Sequence, residues 1–297
     1  MSKLQQSRLE SEASLPSPVM ELRDERLTSY GVRLLLKRDD LIHPDVPGNK
    51  WRKLKYNLVE AVDYGHDTLL TFGGAYSNHI AATAAAGAIC GLATVGVIRG
   101  EQHLPLNPVL SAAVANGMQL TYLDRTSYRA KNSPDILNQL RHDWGTFYLL
   151  PEGGSNELAV RGCGELPREL NHGFDVIACA VGTGGTLAGI AAGLEPTQVA
   201  LGFSALRGGA FLSRDVAELQ RRTFGKESGN WRIEADFHFG GFAKKTPELD
   251  AFIKDFKERH GLTLDWVYVA KMMFGIFALI ERNSFRSGTR IVAVITG

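Results

Sequence analysis

The chain has 297 residues, 44% of them hydrophobic and 22% charged, which is enough apolar material to bury a large core in one large domain or two moderate ones. Lys+Arg 33 against Asp+Glu 32 leaves no basic excess to track a phosphate backbone, so nucleic acid is not an expected partner. The first 18 residues are polar and mixed in charge, and no later apolar run reaches bilayer length, which predicts a cytoplasmic protein without a membrane partner.

In chain order, 32–41 is an apolar strand core that turns abruptly into charge, and Pro44, Pro47 and Gly48 then make a turn into a helix over 50–61. Trp51, Leu54, Leu58 and Val62 fall near helical spacing there, with the basic residues expected on the other side. A strand at 68–72 leads through Gly73-Gly74-Ala75-Tyr76-Ser77-Asn78-His79 into an alanine-rich helix at 80–90. Strands at 93–98, 119–123 and 147–150 alternate with helices at 107–115 and 135–143. Beyond a glycine-rich crossover at 151–156, helices at 156–170, 186–192 and 211–222 alternate with strands at 176–181 and 199–203. A loop at 225–229, an extended stretch at 231–237, helices at 246–259 and 267–282 and a buried strand at 291–295 complete the chain. Thr246 is placed to cap its helix, with Pro247 at the first helical position. The alternation predicts parallel strands with helical crossovers, and neither a repeat nor a low-complexity linker divides it.

Three stretches carry chemistry. If the Lys50 ammonium is shielded from water its pKa falls and the amine becomes a nucleophile toward an aldehyde, the chemistry of a Schiff base. Equally, Lys50 can simply begin a basic helix face with Arg52, Lys53 and Lys55. The strand that runs into Gly182-Thr183-Gly184-Gly185-Thr186 offers converging N–H groups and a helix dipole to a phosphate, or a glycine turn for close packing. It lacks the Gly-Lys-Ser/Thr of a Walker loop and the G-x-G-x-x-G spacing of a dinucleotide site. Ser77 and Asn78 are placed either to cap a helix or to receive a substrate carboxylate, with Ser77 exchanging protons. A serine hydrolase is excluded by the absence of G-x-S-x-G. Cys90, Cys163 and Cys179 lack C-x-x-C spacing and the histidines form no ligand cluster, so buried thiols and no catalytic metal are expected.

In this order, Gly48-Asn49-Lys50 with Arg52-Lys53-Leu54, Gly73-Gly74 with Ser77-Asn78-His79, residues 151–156, residues 182–186, and Leu264-Asp265 with Tyr268 and Lys271 resemble the 1-aminocyclopropane-1-carboxylate deaminase and D-cysteine desulfhydrase family of pyridoxal-phosphate enzymes. The resemblance runs from about Pro16 to the C-terminus. It implies the tryptophan-synthase-β fold type: two open-twisted, mainly parallel α/β domains with the cofactor in the cleft between them. A larger domain would comprise 1–50 and 151–297 and a smaller one 51–150.

On the resemblance, Lys50 holds pyridoxal phosphate, residues Gly182, Thr183, Gly184, Gly185 and Thr186 bind its phosphate, and Asn78 bonds its ring oxygen. Thr296 sets a neutral hydroxyl against the pyridine nitrogen, leaving a weaker electron sink that favours elimination. Ser77, Asn78, His79, Tyr76 and Phe242 would meet the substrate, with Lys50, Ser77 and Tyr268 catalytic.

The sequence departs from the family at four places. Phe242 stands where tyrosine is usual, and Val269 where the cyclopropane deaminases carry a glutamate. Tyr76 replaces a more usual glutamine, and Ile295-Thr296-Gly297 a common His-Thr-Gly-Gly. The expected activity is that of a lyase on a small amino acid, D-cysteine first, in a homodimer. Cyclopropane deamination, racemization or dehydration on the same chemistry, and a catalytically silent cofactor-binding protein, are the alternatives.

Overall fold

The computed structural model describes residues 9–171 and 173–296. Its elements are β1 (Val19–Leu22), α1 (Glu25–Ser29), β2 (Arg33–Arg38), α2 (Asn49–Asp63), β3 (Thr68–Gly73), α3 (Asn78–Cys90) and β4 (Ala93–Arg99). There follow α4 (Pro108–Ala115), β5 (Gln119–Leu123), α5 (Arg125–Arg129), α6 (Pro134–Trp144), β6 (Tyr148–Leu150) and α7 (Glu157–Cys163). The remainder is β7 (Val176–Val181), α8 (Gly185–Ala192), β8 (Val199–Ser204), α9 (Phe211–Phe224), β9 (Trp231–Glu234), α10 (Pro247–His260), α11 (Val269–Glu281) and β10 (Arg290–Ile295).

Two compact units result. One takes the described residues up to Ala13, His43–Val46 and Lys50–Ala159; the other takes Ser14–Ile42, Pro47–Asn49 and the chain from Val160 onward. In the first, a four-stranded sheet runs β5-β4-β3-β6, parallel throughout. One face buries Leu70, Phe72, Val95 and Val97 against Leu140 and Tyr128; the other buries Ile80, Ala84, Ile98 and Leu110.

In the second unit a six-stranded sheet runs β1-β2-β10-β7-β8-β9, parallel except for β1. The apolar runs of β7 and β10 suit strands covered by helices on both faces. The last strand of the chain lies in the middle, with Ile291 opposite Leu34 on one side and Val176 on the other. Parallel neighbours β2, β10 and β7 therefore deliver the chain at one carboxyl edge: 39–49 after β2, Thr296 after β10 and Gly182 after β7. That is the edge at which open α/β sheets bind ligands.

The alternation of elements matches the sequence reading, with corrections where packing or proline intervenes. The helix expected at 156–170 is α7 followed by a separate 3-10 turn at Leu166–Glu169. Pro167 disfavours helical backbone at the residue before it, and α7 ends against α8, where a Cβ on Gly189 would lie 2.4 Å from the Val160 carbonyl oxygen. The extended stretch expected to 237 stops at Glu234. The short strand β1 and the helices α1 and α5 carry too few periodic residues to have been foreseen.

The face of α2 expected to be basic and outward is not so, since Arg52 and Lys53 are 0% and 2% exposed. Thr246 does cap α10, accepting from the Leu249 N–H, with Pro247 beside it. All three cysteines are buried thiols. Among the described residues no helix is long and apolar enough to cross a membrane.

Candidate active site

The glycine loop after β7 turns on Gly184, which caps α8 at φ +83°, a left-handed conformation that suits glycine. A Cβ there would also lie 2.8 Å from Val216 Cγ2. No side chain caps the helix and no acidic residue stands in its first turn. Its first intrahelical bond runs from Ala188 N–H to the Gly184 carbonyl. The N–H groups ahead of Ala188 therefore have no acceptor within the helix, and the dipole adds positive character at the same point. A Cβ on Gly182 would sit 3.1 Å from Tyr268 Cε1, so the Tyr268 ring covers the first glycine of the loop. These features fit the phosphate of a bound cofactor: a cradle of bare backbone that side chains would fill.

Thr186 is nearly buried, and its Oγ1 accepts a 2.7 Å hydrogen bond from Asn49 Nδ2. Because the oxygen accepts there, the hydroxyl hydrogen can point elsewhere as a donor. Asn49 is thus tied to the first turn of the glycine-loop helix, and Lys50 is the next residue of the chain. Gly48 is held as tightly: it sits at φ +66°, and a Cβ on it would come within 2.0 Å of the Thr296 carbonyl oxygen. Thr296, expected at the cofactor, is accordingly packed against the turn that precedes Lys50. Gly297 and the first eight residues of the polar start lie outside the described residues.

In the other unit, Lys50 is half-buried in the first turn of α2. Three residues on, Lys53 Nζ donates to the Gly153 carbonyl and to Ser155 Oγ, both at 2.9 Å. The glycine-rich stretch expected to be a crossover thus folds over α2, where Asn156 and Asn57 also exchange amide hydrogen bonds. Ser77 occupies the cap position of α3 with extended backbone, yet its side chain makes no capping bond. Gly73 permits this approach, since a Cβ there would meet Ser77 Oγ at 2.8 Å. Asn78 is half-buried beside it, and Tyr76 is 48% exposed.

His79 differs from the expectation of a substrate contact. It is 1% exposed, its Nε2 lies 2.9 Å from Thr71 Oγ1, and Gly154 passes so close that a Cβ would be 2.7 Å from its Cε1. Burial, reinforced by the charges of Lys50 and Lys53, holds its pKa well below the ordinary histidine value. His79 is a neutral strut under the start of α3. Phe242 meets Tyr268 edge to face, ring centroids 5.9 Å apart. Val269 is 1% exposed in the core, so a carboxylate there would be buried among apolar side chains.

Sequence reasoning quoted Asn49, Asp265 and Lys271 within motifs without giving them roles, and took Lys53 for surface. The signal available for Asn49 was its place between Gly48 and Lys50. For Lys53 there was none, because its acceptors lie 100 residues and more away.

Fold and loop together define the class: an α/β protein with an anion-ready glycine loop at the carboxyl edge of a parallel sheet. The family description "Pyridoxal-phosphate dependent enzyme" matches residues 11–297. A Thermotoga maritima protein, provisionally named a 1-aminocyclopropane-1-carboxylate deaminase, is 34% identical over 290 residues, covering 91% of this chain and 90% of that protein. The mitochondrial bifunctional D-cysteine desulfhydrase/1-aminocyclopropane-1-carboxylate deaminase of Arabidopsis thaliana is 30% identical, covering 96% of this chain and 77% of that protein. The crystal structure of an ACC deaminase homologue superposes with a TM-score of 0.83 at 26% identity, covering 100% of this chain and 95% of that one. The chain belongs to the family of pyridoxal-phosphate dependent enzymes, and its cofactor is pyridoxal phosphate.

Proposed function

We propose that this enzyme catalyses α,β-elimination on a small amino acid with a β-leaving group, D-cysteine or a close relative, releasing a keto acid, ammonia and sulfide. The observation that carries the reading is the Asn49 hydrogen bond to Thr186, which fixes the residue before Lys50 to the start of the glycine-loop helix. When bound, pyridoxal phosphate supplies the electron sink that stabilises charge at the substrate α-carbon.

The Gly182, Thr183, Gly184, Gly185 and Thr186 stretch would hold the cofactor phosphate and Lys50 its aldehyde. Asn78 and the Thr296 hydroxyl would hold the ring. The Lys50 amine would accept the α-proton of the substrate. Ser77 and the uncapped start of α3 bind the substrate carboxylate, in support of which Ser77 spends no hydrogen bond on its own helix. Tyr76, Tyr268 and Phe242 border the side chain of the substrate.

Val269 favours the elimination reading over cyclopropane deamination, because this position, buried among apolar side chains, carries no carboxylate of its own. With the reading go the two-domain division at 1–50 with 151–297 against 51–150, a cofactor cleft between the domains, a homodimer and a cytoplasmic location.

The test is keto-acid release by the cofactor-loaded protein from a panel of D- and L-amino acids, coupled to borohydride reduction and peptide mapping. Turnover of D-cysteine, with reduced cofactor fixed on the peptide containing Lys50, is expected. A cofactor-bound protein that releases no keto acid from any of them is a silent binder, and label on another lysine removes Lys50 from the scheme.

A further inference from the structure

The motif Leu264-Asp265 with Tyr268 and Lys271 is only partly absorbed by this scheme, which uses Tyr268 alone. Lys271, in the first turn of α11, is 1% exposed. Its Nζ donates to the His238 carbonyl at 3.0 Å and to the Gly241 carbonyl at 2.8 Å. Those two carbonyls are also the ones that close the turns of this loop, accepting the Gly241 and Lys244 N–H groups. The backbone between them is unusual. Phe239 and Ala243 adopt φ 49°, and Gly240 and Gly241 adopt φ 91° and 112°. Left-handed backbone at a phenylalanine and an alanine persists only where surrounding contacts over-determine it. A buried double donor is such a contact, and the loop it clamps presents Phe242.

Asp265 does for Tyr268 what Lys271 does for Phe242. Its Oδ1 accepts the Val267 N–H at 3.2 Å, and its Oδ2 accepts the N–H of Tyr268 at 2.7 Å and of Val269 at 3.3 Å. Tyr268 stands at the cap of α11 without a capping bond from its own side chain, so the carboxylate three residues earlier fixes where the helix and the phenol begin. Burial raises the Asp265 pKa and pulls that of Lys271 down to about 8, while the charge of each opposes the shift of the other. Whether protonated or neutral, the Lys271 amine keeps two hydrogens for its two carbonyls.

We propose that Lys271 and Asp265 are a positioning pair that holds the 238–243 loop and the start of α11 so that the Phe242 and Tyr268 rings form one substrate-facing aromatic wall. The wall rests on the functional reading above, in which Tyr268 and Phe242 border the substrate. The clamp itself rests on contacts within one unit of the fold.

The test compares Lys271→Met, which keeps the length and removes the donors, with Asp265→Asn, alone and combined with Phe242→Ala and Tyr268→Ala, in the cofactor-loaded protein. Lys271→Met should keep the visible cofactor absorbance, raise KM about tenfold and change kcat less than about threefold. Amide exchange in the 238–243 segment should speed up about tenfold while that of α8 stays as it was.

In the Phe242→Ala background the same change should add less than about twofold to KM, because its effect is transmitted through that ring. Asp265→Asn should raise KM about threefold or more, and this effect should shrink in the Tyr268→Ala background, where the ring it positions is gone. An unchanged KM with faster loop exchange, a full tenfold effect repeated in the Phe242→Ala background, or loss of cofactor absorbance with KM intact would overturn the pair as a positioning device. Should Lys271→Met be insoluble, Asp265→Asn decides alone, and a normal KM there sinks the proposal.

If the wild type releases no keto acid, the functional reading fails. The pair is then judged by exchange and by the amino-acid-induced change in cofactor absorbance, and normal values for both variants reject it.

Discussion

The chain builds two strand–glycine–helix junctions, one in each unit, and they are finished differently. After β7 the helix α8 begins on Gly184, with a left-handed backbone, a bare cap and Thr186 tied to Asn49. After β3 the helix α3 begins on Ser77, with extended backbone, a hydroxyl not spent on capping, and the buried neutral His79 beneath. The first offers backbone alone and can approach a bulky anion closely. The second offers side chains, which can choose among substrates and move protons. The same local motif is finished with bare backbone in one place and with polar side chains in the other, and the residue at the cap decides which.

The comparison can be broken at each junction. Ahead of both in the chain, Lys50→Ala should abolish the visible absorbance of the bound cofactor; an unchanged spectrum would detach both junctions from this chemistry. At the glycine junction, Gly184→Ala puts a Cβ 2.8 Å from Val216 Cγ2 on a left-handed backbone. It should weaken cofactor binding about tenfold or more by titration and destabilise the protein by about 1–2 kcal/mol.

At the serine junction, Ser77→Ala should leave the cofactor bound and lower kcat about 100-fold, in the range of a lost acid–base group. Its stability should change by less than about 0.5 kcal/mol in denaturant titration, because no capping bond is lost, whereas a bonded cap contributes about 1 kcal/mol.

His79 sharpens the comparison through pH. Its folded pKa lies well below 6.5, so the unfolded chain binds a proton first. The stability that follows is fully present above 6.5 and is lost as pH falls toward the folded value, at most about 1.4 kcal/mol per pH unit. His79→Gln should flatten that acid limb in melts between about pH 6.5 and 5. The smallest effect belongs to Phe242→Tyr, which restores a phenol against Tyr268 and should raise kcat/KM by only about two- to fivefold. No change would assign that hydroxyl's work to Tyr76 or to nothing.

Much of the local geometry around the candidate site was legible before the fold. The strand, glycine turn and helix at 176–192 are present as the glycine pattern predicts, and Lys50 enters its helix from the turn that Gly48 makes. His79 is buried where a substrate contact was expected, while its neighbour Ser77 is only half-buried at the helix start: adjacency along a sequence says nothing about which side of a helix start faces the core. Lys53 and Arg52 looked like surface because charge normally is surface, and for Lys53 it is acceptors far along the chain that make the burial tolerable.

The order of strands, glycines and helices in the sequence determined that this would be a parallel α/β protein with a loop shaped for an anion, since periodicity and backbone freedom are local properties. What tertiary structure decided was which groups share one edge. β10, last in the chain, enters between β2 and β7 and so brings Thr296 against Gly48, while Asn49 reaches across to Thr186. No local rule contains that choice, because it is made by the burial of apolar strands that are distant in sequence and adjacent in space.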